Sequence, residues 1–155
     1  MTIKLGFVGA GNMGSAMIKS IAGSGKIKPE NIYIYDVDAE KVGLLQKEIG
    51  INVLGTSDEV FKISDVIILA VKPNMVNTVL EACKDSLSQD KILVSIAVGL
   101  PISFYKGIVG NDKKVIRTMP NTPALVGEGM TLISFDNNIN EDDLNKVRPL
   151  FETMG

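Results

Sequence analysis

A turn with three glycines near the N-terminus constrains the fold of this chain more than any other feature. Gly9, Gly11 and Gly14 have the spacing G-x-G-x-x-G and lie between an apolar stretch, residues 3–8, and an amphipathic stretch, residues 15–22. The pattern predicts a strand that leads through a tight turn into a helix. In such a unit the first glycine permits the turn, the second leaves space for a pyrophosphate, and the third lets the helix pack closely on the strand. The first N–H groups of the helix then face the phosphates.

Strands and helices alternate along the rest of the chain. The sequence predicts further strands over residues 32–35, 51–54, 66–71, 92–97 and 114–117, and helices over residues 39–49, 56–63, 73–87 and 102–108. The run at 66–71 is apolar on both faces, as a central parallel strand requires. The alternation predicts an α/β fold of Rossmann type, a doubly wound parallel sheet in three layers, α/β/α. Residues 1–155 are expected to form a single dinucleotide-binding domain.

The region after the last of these strands contains two prolines. Pro120 and Pro123 predict a stiff loop over residues 119–123, because proline lacks the N–H group that a strand ladder uses. A late or edge strand is expected at residues 130–134.

An acidic stretch begins the last predicted helix, over about residues 140–155. Leu144, Val147 and Phe151 lie on one face of it, and Pro149 should weaken or kink it. The chain ends where this apolar face is complete. We therefore expect the helix to lead towards a missing helical domain and, without that domain, to associate through its apolar face.

The composition argues against several classes of protein. A net charge of −2 over 155 residues offers no electrostatic attraction to nucleic acid. The longest apolar run, residues 66–71, is too short to span a membrane, and no signal peptide is expected. The single cysteine, Cys83, cannot form an internal disulfide, which favours a cytoplasmic location.

The chain has no histidine, which removes His-based acid–base catalysis, Ser-His-Asp triads and His-ligated metals. We find no ligand cluster with metal-binding spacing and no pair of a nucleophile and a base. The sequence therefore predicts no metal site and no catalytic residue in this chain. If the domain serves an enzyme, the reactive atom belongs to a cofactor.

Asp36 follows the second predicted strand, about 20 residues after the glycine turn. A carboxylate here either accepts hydrogen bonds from the ribose of a bound dinucleotide or lies in solvent as a strand-end acid. Together with the glycine turn, its position favours the ribose contact. An acid at this place repels a 2′-phosphate, and no arginine follows closely. The predicted cofactor is NADP or NAD, with NAD favoured.

Ligands of an open parallel sheet bind beyond the carboxyl ends of its strands, a rule that also selects residues 70–73, 97–99 and 118–123. Lys72 is interpreted as a lysine at a strand exit rather than a catalytic base. Arg117 either binds an anion or pairs with an acid, and the sequence leaves both possibilities open.

Several of these segments together resemble the N-terminal domain of pyrroline-5-carboxylate reductases. The matching sequences are GFVGAGNMG at 6–14, AVKP at 70–73, VSIAVG at 94–99, VIRTMPNTP at 115–123 and VGEG at 126–129. The block at 117–123 with its glycine tail is the most specific, because many dehydrogenases share the glycine turn alone.

The resemblance implies NAD(P)H-dependent reduction of 1-pyrroline-5-carboxylate to L-proline, the last step of proline biosynthesis, by an enzyme whose full-length form is a homo-oligomer. Hydride passes from the nicotinamide to the C=N carbon of the substrate. Met119, Pro120 and Asn121 are implied to lie near that substrate. The cofactor-binding residues implied by position are Val8, Gly9, Ala10, Gly11, Asn12, Met13, Gly14, Asp36, Ser57, Ala70, Val71, Lys72, Pro73, Ile96, Ala97 and Val98.

The chain departs from the family pattern at three of these positions. Ser57 stands where the family often has asparagine, which weakens an adenosine-side contact. Val98 replaces a usual alanine beside the nicotinamide. Asp36 differs from the small or basic residues of members that prefer NADP.

The family's C-terminal helical domain, which carries the substrate-carboxylate loop, is absent from the sequence. We therefore expect the chain by itself to bind dinucleotide weakly and to turn over little or no substrate. Two alternatives stay open. One is another reductase with a similar front half, either a β-hydroxyacid dehydrogenase or a deazaflavin-linked NADP reductase, and the other is a dinucleotide-binding module without chemistry.

Overall fold

The computed structural model describes residues 3–120 and 131–153. Within these residues seven strands form one sheet in the order β3-β2-β1-β4-β5-β6-β7. The strands are β1 (Leu5–Val8), β2 (Ile32–Tyr35), β3 (Asn52–Val53), β4 (Val66–Leu69), β5 (Ile92–Ser95), β6 (Lys114–Pro120) and β7 (Thr131–Phe135). The first six are parallel, whereas β7 runs antiparallel to β6 at the edge. The predicted doubly wound sheet is confirmed, with one antiparallel strand added.

Helices cover both faces of this sheet, as a parallel sheet requires. They are α1 (Asn12–Ser24), α2 (Ala39–Ile49), α3 (Ser57–Ile63), α4 (Pro73–Cys83), α5 (Ile102–Val109) and α6 (Glu141–Glu152). Short 3₁₀ turns at Pro29–Asn31 and Lys84–Ser86 precede β2 and follow α4. The predicted helix over 73–87 therefore ends at Cys83, and its last residues form the second of these turns.

Two buried clusters show which helix covers which face. The first contains Met17 and Ile18 of α1, Val42 of α2 and Val147 of α6, packed on strand residues such as Phe7. The second joins the opposite face of the sheet to apolar residues of α3, α4 and α5: Phe61, Leu80 and Tyr105. Three layers, α/β/α, result.

The last helix is docked on the sheet rather than exposed. Leu144 and Phe151 are each 4% exposed, Val147 is fully buried, and all three belong to the first core cluster. The expectation that this apolar face drives association is therefore wrong, because the face already packs against the chain's own core. The helix also continues through Pro149 to Glu152.

The loop predicted over 119–123 is also partly wrong. Met119 and Pro120 belong to β6 and lie opposite Leu132 and Thr131 of β7. Pro120 is the last residue of its strand, so its missing N–H group interrupts no bond further along the ladder. Residues 121–123 and the glycine tail at 126–129 lie outside the described residues.

Two central strands end earlier than the apolar pattern predicts, at Leu69 and Ser95 instead of residues 71 and 97. The residues that follow leave the sheet at its carboxyl edge. They are therefore available to face a ligand.

Candidate functional site

The candidate site lies at the carboxyl edge of the sheet, where β1 has β2 on one side and β4 on the other. The chain connects β1 to β2 through α1 and returns to β4 on the opposite side of β1, so the connections diverge at this point. Such a switch point opens a crevice beyond the strand ends, and ligands of doubly wound sheets bind there.

The glycine turn is held tightly against the segment that follows β4. Gly9 has a φ of 102°, and a Cβ at this position would overlap the carbonyl group of Ala70. A Cβ at Gly14 would lie 3.0 Å from the carbonyl oxygen of Gly9 and 3.2 Å from Cβ of Ala70. Gly9 is therefore required by the protein's own backbone, and a side chain at Gly14 would force its neighbours to shift.

Gly11 differs from its two neighbours, because a Cβ there would meet no atom within 4 Å. It is the N-cap of α1, where no side chain caps the helix and no acidic residue occupies the first turn. Backbone N–H groups and the positive end of the helix dipole thus face open space. That space and those donors fit a phosphate group.

Two hollows lie on either side of the glycine turn and share Val71. The turn-side hollow, of about 240 Å³, is lined by Gly11, Asn12, Met13, Gly14, Ala70, Val71, Lys72, Pro73, Ile96, Ala97 and Val98. The apolar hollow, of about 120 Å³, is lined by Val8, Gly9, Tyr35, Asp36, Val37, Val71, Met75 and Val79. Together they contain nearly every cofactor-binding residue that the sequence predicts.

A larger hollow of about 330 Å³ lies near the other end of α1 and is lined by residues 25–28 and their neighbours. It contains none of the predicted site residues and lies away from the carboxyl edge of the sheet. Size alone is a weaker indication of a ligand site than a strand-edge crevice with free backbone donors, so we place the site at the glycine turn.

Asp36 is not a free strand-end acid. Its Oδ2 accepts a hydrogen bond from the N–H of Ala10 at 2.6 Å, and its Oδ1 accepts one from the N–H of Asp38 at 2.8 Å. The carboxylate thus ties the glycine turn to the end of β2. Ala10 itself is fully buried, so its part in the site is this N–H group.

Ser57 is a predicted cofactor-binding residue whose hydroxyl is bonded within the chain itself. It lies in the first turn of α3, and its hydroxyl accepts a hydrogen bond from Sγ of Cys83 at 3.3 Å. It lines neither hollow. Burial raises the pKa of the Cys83 thiol, as expected of a core cysteine.

A buried pair of hydroxyl groups supports residues 96–98, which line the turn-side hollow. No sequence pattern above selected this pair. Ser95 Oγ and Tyr105 Oη lie 2.5 Å apart, and both residues are fully buried. Burial raises the pKa of Tyr105, while the Ser95 hydroxyl and the nearby charge of Arg117 act in the opposite direction. The one sequence signal for this pair is a serine at the end of an otherwise apolar strand, β5.

The residues predicted near a substrate lie at the end of β6. Met119 is 42% exposed there, and Pro120 closes the strand. Asn121 lies outside the described residues. Lys72 is the exposed N-cap of α4, and its carbonyl group accepts the N–H of Met75 at 2.9 Å. In the described part of the chain, no three acidic or cysteine side chains come together as metal ligands.

The parallel sheet, its switch point and the glycine turn define a Rossmann-type fold. The chain belongs to the family described as "NADP oxidoreductase coenzyme F420-dependent", whose model matches residues 4–99. Among residues 3–120 and 131–153, no helix has both the length and the apolar character needed to cross a membrane.

Other similarities extend over the whole chain. It is 39% identical over 155 residues to the pyrroline-5-carboxylate reductase of Escherichia coli (strain K12), a match that covers 100% of the chain and 58% of that protein. The crystal structure of Plasmodium falciparum pyrroline carboxylate reductase with NADP bound shares 38% identity and a TM-score of 0.88, over 99% of this chain and 55% of its own. The pyrroline-5-carboxylate reductase of Coxiella burnetii shares 26% identity and a TM-score of 0.96, over 100% and 57%. The chain thus spans between half and two thirds of these relatives.

Proposed function

We propose that this chain supplies the cofactor-binding domain of a reductase that converts 1-pyrroline-5-carboxylate to L-proline with NADPH or NADH. The observation that carries the proposal is the extent of the similarity. The family model ends at residue 99, whereas the match to the Escherichia coli enzyme continues through all 155 residues. It therefore includes the block at 117–123 that separates these reductases from other proteins with a similar front half.

The residues present fit a nicotinamide dinucleotide, whose nicotinamide supplies a hydride when it is bound. The open space at Gly11 and the uncapped N-terminus of α1 suit the pyrophosphate. In this proposal, residues 8–14 hold the phosphates, and the apolar hollow beside Asp36 takes the adenosine. Residues 70–73 line the path between the two halves, and Ile96, Ala97 and Val98 face the nicotinamide.

The proposed substrate lies near Met119, Pro120 and Asn121, on the side of the turn-side hollow where β6 ends. The described residues of this region offer apolar surface and backbone groups, and none is assigned the role of a proton donor. The chain's own contribution is therefore to bind and orient the cofactor.

We propose NAD as the preferred cofactor, although the Plasmodium falciparum structure is named with NADP bound. The support is Asp36, which lines the apolar hollow with a carboxylate that repels a 2′-phosphate. Its two backbone hydrogen bonds hold the carboxylate in place at this position.

The decisive assay follows oxidation of NADH and of NADPH by the full-length protein with 1-pyrroline-5-carboxylate. Substrate-dependent oxidation with formation of proline is expected, and it should be faster with NADH at low cofactor concentration. The absence of oxidation with both cofactors, in a protein that is folded, would exclude the proposed reaction.

A second candidate is a deazaflavin-linked NADP reductase, which the description of the matching family favours. It differs in its second substrate. Hydride exchange between reduced coenzyme F420 and NADP⁺, without activity on 1-pyrroline-5-carboxylate, would select it. A module that binds dinucleotide without chemistry would be inactive in both assays and would still bind NADH.

Three further properties belong to the same proposal. The chain acts as one domain of a larger protein, because it matches only 58% of the Escherichia coli enzyme, and the family resemblance implies that the larger protein is a homo-oligomer. Residues 1–155 by themselves therefore show little turnover compared with the full-length protein. A cytoplasmic location is proposed from the single cysteine, which is buried and unpaired by any disulfide.

A further inference from the structure

We propose that Tyr105 is a positioning residue for the nicotinamide half of the site, and that it acts through Ser95 on the turn formed by residues 96–98. The inference rests on the proposed function, because these residues form the wall of the turn-side hollow opposite the glycine turn. Tyr105 touches no cofactor in this scheme. It determines the position of residues 96–98.

The hydrogen-bond ladder between β4 and β5 ends just before the turn. The N–H of Ile96 still donates to the carbonyl oxygen of Leu69 on β4, at 3.2 Å. The next N–H, that of Ala97, donates instead to Oγ of Ser95 at 3.2 Å. A side-chain hydroxyl therefore takes over from the sheet at the point where the chain turns towards the hollow.

Neighbouring hydroxyl groups orient Ser95. Ser95 Oγ lies 2.5 Å from Oη of Tyr105, which α5 brings into the second core cluster. The hydroxyl of Thr118 donates to the carbonyl oxygen of Ser95 at 3.4 Å from the β6 side. Ser95 is thus held by its neighbours on two sides, and a rotation of its hydroxyl would release Ala97.

The pair is more than core packing. Tyr105 and Ser95 are fully buried, and Tyr105 belongs to the second core cluster, where hydroxyl groups cost free energy unless they are hydrogen-bonded. Phenylalanine and alanine would fill the same space without that cost. The polar pair is therefore explained by what it holds, which is the N–H of Ala97.

The turn has a buried centre and open flanks. Ala97 is 5% exposed and belongs to the second core cluster. Val98 is 64% exposed, and Ile96 is only partly buried. The adenosine half, around Asp36 and Gly9, has its own hydrogen bonds and shares none with this pair. Loss of the Tyr105 hydroxyl should therefore affect one half of the cofactor site and leave the other intact.

The test compares ligands with and without the nicotinamide, in the full-length protein. Affinities for NADH and ADP-ribose, and for NADPH and 2′-phospho-ADP-ribose, are measured in wild type, Tyr105→Phe, Ser95→Ala and the double variant. Tyr105→Phe should weaken NADH and NADPH about fivefold, the effect of one lost hydrogen bond, with unchanged affinity for both ribose ligands. The fluorescence of bound NADH should also change. The affinity of the double variant for NADH should equal that of the single variant that binds NADH less tightly, because both substitutions break the same chain of hydrogen bonds.

Ser64→Ala is the matched control, because Ser64 is equally buried and its hydroxyl has no partner among the described residues. Ser64 lies before the first residue of β4, at the end of that strand away from the site. It should leave all four affinities unchanged. Equal weakening of ribose and nicotinamide ligands by Tyr105→Phe, or no weakening of either, would overturn the inference. Failure of the wild type to bind any of the four ligands would instead refute the proposed function, on which the inference depends.

Discussion

Gly9 and Gly11 are two residues apart and lack a side chain for different reasons. Gly9 is required by its own backbone and by the carbonyl group of Ala70, whereas Gly11 borders open space. Gly9→Ala should lower the free energy of unfolding by about 1–3 kcal/mol, since alanine is strained at a φ of 102°. Gly11→Ala should change it by less than about 1 kcal/mol, the cost of a poorer N-cap, and yet abolish most NADH binding.

Denaturant unfolding and NADH titration of both variants distinguish these effects. The opposite pattern, a stable Gly9→Ala protein and an unstable Gly11→Ala protein, would contradict the assignment of the open space to a ligand.

Asp36 is expected to discriminate between the two cofactors. Asp36→Asn removes the negative charge and keeps one acceptor oxygen for a backbone N–H group. The ratio of the NADPH and NADH dissociation constants should shift towards NADPH by about tenfold, equivalent to about 1.4 kcal/mol. Asp38→Asn is the matched control, because it removes the same charge nearby, and asparagine caps α2 as well as aspartate does. An equal shift in both variants would indicate general electrostatics rather than a contact with the 2′ position.

Tyr105 provides a pH-dependent signature of its buried hydroxyl. Burial raises its pKa in the folded protein, so the phenol stays neutral at about pH 10, where an exposed tyrosine ionises. The contribution of the Tyr105 hydroxyl to the free energy of unfolding is complete below the pKa of the unfolded chain. It is lost as the pH rises towards the higher folded-state pKa, because only the unfolded chain then releases the proton. Tyrosinate absorbance in an alkaline titration should show a late component that coincides with unfolding and disappears in Tyr105→Phe. Titration of the component that is absent from Tyr105→Phe at a pH below that of unfolding would contradict the burial argument.

At the scale of elements, α6 is held by an ion pair as well as by its apolar face. Lys114 Nζ of β6 lies 2.9 Å from Oδ1 of Asp143, and Oδ2 of Asp143 accepts the N–H of Asn140 in a capping box. The Asp143 side chain is only 2% exposed. One carboxylate therefore closes the helix N-terminus and attaches the helix to the sheet.

Asp143→Ala should lower the free energy of unfolding by about 2–4 kcal/mol, since it removes the buried partner of Lys114 and one of the two hydrogen bonds of the capping box. Glu141→Ala, in the same helical turn, is the control. Its pair with Arg148 is exposed at both ends, so it should cost less than about 0.5 kcal/mol. Chemical denaturation measures both, and equal costs would show that the ion pair to β6 contributes nothing.

The elements that the sequence predicted well are those with a local pattern. The glycine turn, β2 and α2 have their signals within a few residues, and α2 ends before Gly50 as expected. The strand character of Met119 and Pro120 depends on pairing with β7, and the burial of Phe151 depends on the core beneath α6. Such features arise from distant segments and leave no short-range pattern.

The same distinction applies to the candidate site. The strand-edge rule selected most residues of the turn-side hollow, and Gly9, Asp36 and Val71 of the apolar one, because it uses topology alone. The double hydrogen bond of Asp36 to Ala10 and Asp38 and the contact between Ser95 and Tyr105 depend on side-chain directions that no spacing reveals. The contact between the Ser57 hydroxyl and Cys83 depends on side-chain directions in the same way, and the cofactor contact of Ser57 stays a prediction.

For the molecule as a whole, the absence of histidine predicts an unusual pH profile. Side chains of the other types change charge outside the range from about pH 5 to pH 8 unless their pKa is strongly shifted. Hydrogen bonds from Ser86, Ser88 and Gln89 lower the pKa of Asp58, Asp90 and Asp112 respectively. A lowered folded-state pKa stabilises the protein above the unfolded-state value and loses this effect as the pH falls through the folded-state value.

The free energy of unfolding should therefore be nearly constant between about pH 5 and pH 8 and decline below about pH 4. Urea denaturation across that range measures it. A steep change near neutral pH would mean that a group with a strongly shifted pKa contributes to stability. The triple substitution of Asp58, Asp90 and Asp112 by asparagine should reduce the acid-side decline.

The two hydrogen bonds of Asp36 have an evolutionary consequence. In the role proposed for Asp36, a lineage that changes from one cofactor to the other replaces this carboxylate, and every replacement without an acceptor oxygen also releases the N–H of Ala10 in the glycine turn. Selectivity and affinity are thus mutationally coupled, and single substitutions at this position trade one for the other. Laboratory reversal of cofactor preference should succeed more often in libraries that vary residues 10, 36 and 38 together than in libraries restricted to residue 36.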